Sequence, residues 1–307
     1  MKRNGKWSIL LILLGIFFSG CSSKEINRLN SSEYKLLLNN EKFNDYEAGF
    51  KNYWSIVKTV ANNNNIPILE NENPFKLKHK EVSFFDTENL DLRKYGFLIR
   101  QRVNYKGNNK KPGVEFTVKY KQSNPKEALS VDLMLTEGYL PKDDTIELES
   151  DIVYNAISNG GRDIKYSISN SVKLDSVPEM TLGAFSKMYS SLGVLGLSPS
   201  APLNLVGGVF ADEWKVAPGK LDFGDGLFGS VDMSIWIVQT KNGLERIPEF
   251  SFDHPFLENR EYSKEAMTRC TDFIDKLQNF ETSWVVPGAS KSSFLFGKHK
   301  ETKGKVK

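Results

Sequence analysis

Cysteine, histidine and long apolar runs are all scarce in this chain. Its 307 residues include two cysteines, Cys21 and Cys270, and three histidines, His79, His254 and His299. No C-x-x-C pair and no H-E-x-x-H spacing occurs, which excludes a zinc ribbon, a disulfide framework and a zincin helix. Neither a Walker loop nor a G-x-S-x-G elbow is present, so P-loop NTPases and α/β-hydrolases are excluded as well. Beyond the first twenty residues no apolar run is long enough to span a bilayer as a helix. Cys270 falls among Tyr262, Ala266, Phe273, Ile274 and Leu277 at helical spacing, which predicts a packed core thiol rather than a reactive one.

The one strongly apolar stretch opens the chain. Lys2, Arg3 and Lys6 precede an apolar run over residues 9–18, followed by Ser19, Gly20 and Cys21. That order of charged, apolar and small residues reads as a secretory signal over residues 1–20, too short for a spanning helix. Its ending resembles a bacterial lipobox. The resemblance implies lipidation of Cys21, residues 21–30 as a tether, and membrane attachment through the lipid. It also implies a cell-envelope location, at the outer membrane if the cell is Gram-negative, because Ser22 follows the cysteine. Without the three leader cations, the remaining 38 basic residues match the 38 acidic ones. The tail over 298–307 adds five lysines and reads as a basic, disordered end. The body between is slightly acidic, which argues against nucleic acid as a partner.

Residues 31–297 alternate in the manner of strands. Period-two runs appear near residues 33–38, 97–104, 114–121, 129–135, 146–151, 164–168, 231–238 and 247–253, with a final short run at 292–296. Amphipathic helices are predicted over 41–60 and 263–279; after a break, residues 180–197 read as a helix candidate containing glycines, and 198–208 is rich in Ser, Pro and Gly. Residues 219–229 read as a turn-rich loop. So many alternating strands with few helices indicate an α+β chain built on a closed or sandwiched antiparallel sheet.

The densest signal lies between Glu81 and Lys121. On one strand Leu98, Arg100, Arg102 and Asn104 share a face; on the next Glu115, Thr117, Lys119 and Lys121 do. Residues 106–113 read as the hairpin connection between them. Four cations therefore meet on one face of one hairpin, either as a solvated outer surface or as something more specific.

The wording of this stretch, F-F-D-T-E-N-L-D-L-R-K-Y-G-F-L-I-R-Q-R followed by E-F-T-V-K-Y-K, resembles the CYTH family of triphosphate tunnel proteins. The resemblance implies a closed antiparallel barrel of about eight strands with a polar, tunnel-like interior and flanking helices. It spans most of 31–297, is tight from Phe84 to Lys121, and leaves 124–228 as an insertion. It also implies phosphate-binding roles for Arg100, Arg102, Lys119 and Lys121, with Lys35 added from the first strand. Glu33, Glu249 and Asp253 would hold Mg²⁺ or Mn²⁺, since hard cations take oxygen ligands. Serine stands at Ser31 and Ser251 where the family pattern has a glutamate, which halves each carboxylate pair. The implied ligand is a small phosphate-rich anion, and any enzyme activity would be a divalent-metal-dependent triphosphatase. The competing expectation is a structural or interaction lipoprotein that keeps the barrel without the phosphate chemistry.

Overall fold

The computed structural model describes residues 29–139, 146–154, 162–257, 259–286 and 290–303. The leader over 1–20, Cys21 and nearly all of the tether lie outside the described residues.

Nine strands close into a ring. They are β1 (Ser31–Leu37), β2 (Lys78–Asp86), β3 (Phe97–Lys106), β4 (Val114–Gln122), β5 (Glu147–Tyr154), β6 (Arg162–Leu174), β7 (Ala211–Asp222), β8 (Phe228–Thr240) and β9 (Gly243–Pro255). The order around the ring is β1-β5-β6-β4-β3-β2-β7-β8-β9, and β9 returns to β1. Every pairing is antiparallel except β1 with β5, where Glu33 lies beside Asp151. The expected ring of about eight antiparallel strands is thus a ring of nine. An odd number of strands cannot alternate direction all the way round, so one parallel neighbour is a geometric necessity. Closure also leaves no exposed sheet edge in the ring.

The greasy core sits outside the ring. Outward-facing Tyr34, Leu36, Phe250 and Phe252 pack under α1 (Tyr46–Asn63) and α3 (Lys264–Phe280). Both helices start where the sequence offers a cap: Asp45 accepts from the Ala48 amide and Ser263 from the Ala266 amide. Cys270 is fully buried in this layer, as its spacing predicts, and burial pushes its thiol up to about 12. On the opposite side Ile99, Phe116, Val118 and Val172 pack beneath α2 (Leu182–Met188). With apolar side chains drawn to the outer face, the alternate positions of each strand are left to the interior.

Three elements differ from the sequence expectations. The stretch read as an insertion contributes β5, β6 and β7 to the ring itself. Residues 129–135 are not a strand; Asn124 caps a short helix with Pro125 at its first position, and the chain then runs irregularly past buried Leu133. Residues 292–296 lie in a helix, α4 (Lys291–Lys303), which continues into the segment expected to be disordered. Leu295 and Phe296 of α4 are buried among Val82, Phe84, Ala211, Trp236, Val238 and Ile247, at one end of the barrel. Burying two such side chains contributes about 3–6 kcal/mol before entropy is counted, enough to seat the helix.

Candidate functional site

A cavity of about 310 Å³ occupies the middle of the ring. Lys35, Arg100, Arg102, Lys119 and Lys121 all line it, as does Glu33. The hairpin face read from the sequence is therefore an interior face, because its other face, Ile99, Phe116 and Val118, is fully buried under the outer layer. Among the described residues, eight cations and seven carboxylates line the cavity. It is close to neutral, and its chemistry depends on which charges are already paired.

One side of the cavity is saturated. Asp151 of β5 receives Lys35 Nζ at 2.5 Å and Lys121 Nζ at 2.7 Å, with Lys119 Nζ at 3.6 Å. Lys119 also reaches Glu149 at 2.9 Å, and Lys35 reaches Glu33 at 2.6 Å. Burial alone would raise the Asp151 carboxyl, but Lys119, Lys35 and Lys121 outweigh it and hold the group well below the usual carboxylate range. Lys35 shows the mirror effect, burial opposed by Asp151 and Glu33, and its ammonium is held well above its ordinary value.

The other side is under-compensated. Arg100 donates from Nη2 to Thr117 Oγ1 at 3.3 Å, and Arg102 Nη1 lies 3.6 Å from Glu115. The Nε atoms of both arginines are buried without a hydrogen-bond partner. Burial, reinforced by the charge of Arg102, lowers Arg100 to about 10. Lys80 of β2 faces the same cavity and pairs with no described carboxylate; burial and Arg102 bring it down to about 8. Three cations facing one space, two of them with donors left over, make a receptacle for an anion.

Lys80 gives this half a pH signature. An anion held partly by its ammonium binds with constant affinity below about pH 8 and more weakly as pH rises through that value. Lys80→Arg, which keeps its charge, should flatten the profile up to pH 9.5. Calorimetric titration with tripolyphosphate at pH 7, 8 and 9.5 measures this.

The sequence-derived metal ligands do not form one ligand group, although Glu33 and Asp253 face each other across β1 and β9. Glu33 joins Glu149 and Asp151 in a group whose ligand oxygens lie within 4.8 Å of one another. Glu249 instead pairs with Lys291 Nζ at 3.1 Å, and Asp253 is not among the lining residues. Asp253 is pushed up to about 6, first by burial and then by Glu33 and Asp232. Its ionisation therefore costs folding stability as pH rises from about 4 to about 6. Asp253→Asn should raise the thermal midpoint at pH 8, and most of that gain should vanish at pH 4. As donors, Glu33, Glu149 and Asp151 suit a hard divalent cation. Each now touches a lysine, so a cation fits only where the ammonium groups turn away.

Sequence reasoning missed Lys80, Glu149, Asp151, Glu213, Lys215, Asp232 and Lys291, all of which line the cavity. The alternation of Glu147, Glu149 and Asp151 against Ile146 and Leu148 was the available signal for two of them.

No family model and no curated sequence matches the chain. Three solved structures are similar to it over almost their whole length. A Hippeastrum protein, described as a candidate adenylyl cyclase with a dominant triphosphatase activity, aligns at 13% identity and TM-score 0.42, over 91% of this chain and 98% of its own. A Bacillus halodurans protein, described as a candidate adenylate cyclase, aligns at 13% and 0.38, over 87% and 100%. A Pyrococcus horikoshii protein aligns at 11% and 0.36, over 87% and 99%. What fixes the architecture is the ring of strand pairings in this chain itself. It is an α+β fold around a closed, tunnel-like barrel with a charged interior, the form that the resemblance to the CYTH family implies.

Proposed function

We propose that the barrel interior binds a small phosphate-rich anion of the triphosphate or polyphosphate type. The observation that carries this reading is the pair of half-buried arginines, Arg100 and Arg102, whose Nε donors are buried and unmatched inside a polar cavity. Guanidinium groups bind phosphate oxygens in bidentate fashion and stay charged when buried, which suits them to this task. Lys119, Lys121 and Lys35 extend the basic wall once an incoming anion competes with Asp151 for them. Their departure frees Glu33, Glu149 and Asp151 for Mg²⁺ or Mn²⁺, so anion and cation should favour each other's binding. A divalent cation bound there would shield phosphate charge and orient an attacking water. The arginines and lysines meanwhile hold the anion in place. In the same reading Cys21 carries a lipid that fixes the barrel to the cell envelope, supported by the leader's residue order.

A second reading keeps the barrel as a structural or interaction lipoprotein. The near cancellation of charge around the cavity favours it. One experiment separates the two. The Cys21→Ala chain, which cannot be lipidated, is titrated with tripolyphosphate in a calorimeter with and without Mg²⁺, and phosphate release is followed with Mn²⁺. Binding heat supports the first reading, and release adds hydrolysis to it. No heat under any condition leaves the second.

A further inference from the structure

Lys291 places a charge in the cavity that the strand ring does not supply. It opens α4, and its ammonium lies 2.5 Å from Ser234 Oγ, 3.1 Å from Glu249 and 3.8 Å from Glu213. The Trp236 ring centroid is 5.2 Å away, and the Trp236 indole donates to Glu213 at 2.8 Å. Lys291, Glu213 and Glu249 are 9%, 6% and 6% exposed. Two carboxylates this buried need compensation, because an unpaired carboxylate in a protein interior is strongly disfavoured. Without Lys291, the cations left to compensate Glu213 would be Arg102 and Lys80, which already act on it. Those are two of the three cations available to a ligand. Any of them drawn to Glu213 is lost to the anion.

We propose that Lys291 is a tethered counter-cation that keeps the arginine half of the cavity available for anions by neutralising Glu213 and Glu249. The inference rests on the anion-binding reading above. Lys291 acts as a positioning residue, through the two glutamates rather than on the ligand. Its place is set by Leu295 and Phe296 packing at the barrel end, so the charge is installed on folding and needs no diffusible ion. An acid pair that would otherwise recruit a divalent cation is filled by the chain's own ammonium.

The test has two arms on the Cys21→Ala chain. In the first, Mn²⁺ is titrated against the parent and against Lys291→Met, and bound metal is counted by electron paramagnetic resonance. Lys291→Met should bind one more Mn²⁺ per chain than its parent; an unchanged count overturns the proposal. In the second, tripolyphosphate is titrated without metal. Lys291→Met should bind at least tenfold more weakly, and adding Glu213→Gln and Glu249→Gln should bring affinity back to within about threefold. A triple variant that folds but stays tenfold weak shows Lys291 contacting the anion itself and also overturns the proposal. Should Lys291→Met fail to fold, Lys291→Arg against the triple variant decides the same point, since both should keep parental affinity. A parent that gives no heat with tripolyphosphate defeats the anion reading, while the Mn²⁺ count still judges the role of Lys291.

Discussion

Arg100→Ala should bind tripolyphosphate about 10- to 100-fold more weakly than its parent while unfolding at the same temperature or higher. Charge-assisted hydrogen bonds contribute roughly 1.5–3 kcal/mol each, and every 1.4 kcal/mol is a factor of ten in affinity. The stability half of the prediction separates this site from an ordinary structural arginine. Arg100 has no carboxylate within ion-pair distance among the described residues; the largest charge effect on it is the like charge of Arg102, opposed by the weaker pulls of Glu115, Glu213 and Glu149. Removing it relieves burial and the repulsion from Arg102, against the loss of a 3.3 Å bond to Thr117 and of the weaker attraction to Glu115, Glu213 and Glu149. Calorimetry and thermal unfolding on the same preparation measure both halves. Unchanged affinity would show that the anion does not reach Arg100. A fall in both quantities would make Arg100 a structural residue.

Asp151→Asn should do the reverse. Asp151 is 1% exposed and gathers Lys35, Lys119 and Lys121. Neutralising it leaves three ammonium groups facing one another, and breaking a buried ion pair in this way costs about 3–5 kcal/mol. In a chain of this size that lowers the melting temperature by roughly 6–15 °C. Tripolyphosphate should then restore much of the loss, because the bound anion returns the negative charge the lysines have lost. Scanning calorimetry with and without saturating tripolyphosphate reads the difference. If the ligand stabilises parent and variant equally, the three lysines do not face it. The two substitutions are neighbours in one cavity, so their effects should not add.

The sequence showed the β3–β4 hairpin almost in full, including which residues share its two faces. Alternation fixes which side chains point the same way; it does not say which way is inward. A polar face reads identically whether it meets bulk water or a charged lumen, and Glu147, Glu149 and Asp151 were for that reason visible as a row but not as a site. β7 escaped because Pro218 and Gly219 interrupt its pattern where the pairing with β8 shifts register between Val216 and Gly219. Pro218 also lacks the amide a central strand uses, yet the bulge accommodates it. Ser292 to Phe296 is too short for periodicity to separate strand from helix, and its helix is decided by a cluster whose other members, from Val82 to Ile247, all lie well upstream in the chain. Lys291 and Glu213 belong to the same class: nothing near them in the chain announces that they meet.

The lone parallel pairing makes β1 a keystone. Ser31 pairs with Pro255 on one flank and with Glu149 on the other. The earliest strand therefore waits for nearly the last before it can be locked between its two neighbours. Loop closure on that scale is slow and comes late in folding. Until β9 emerges, the basic and acidic rows of the future lumen lie open to water as an unrolled sheet. Truncation before Gly243 should thus yield no smaller barrel, only a ribbon with two unpaired margins.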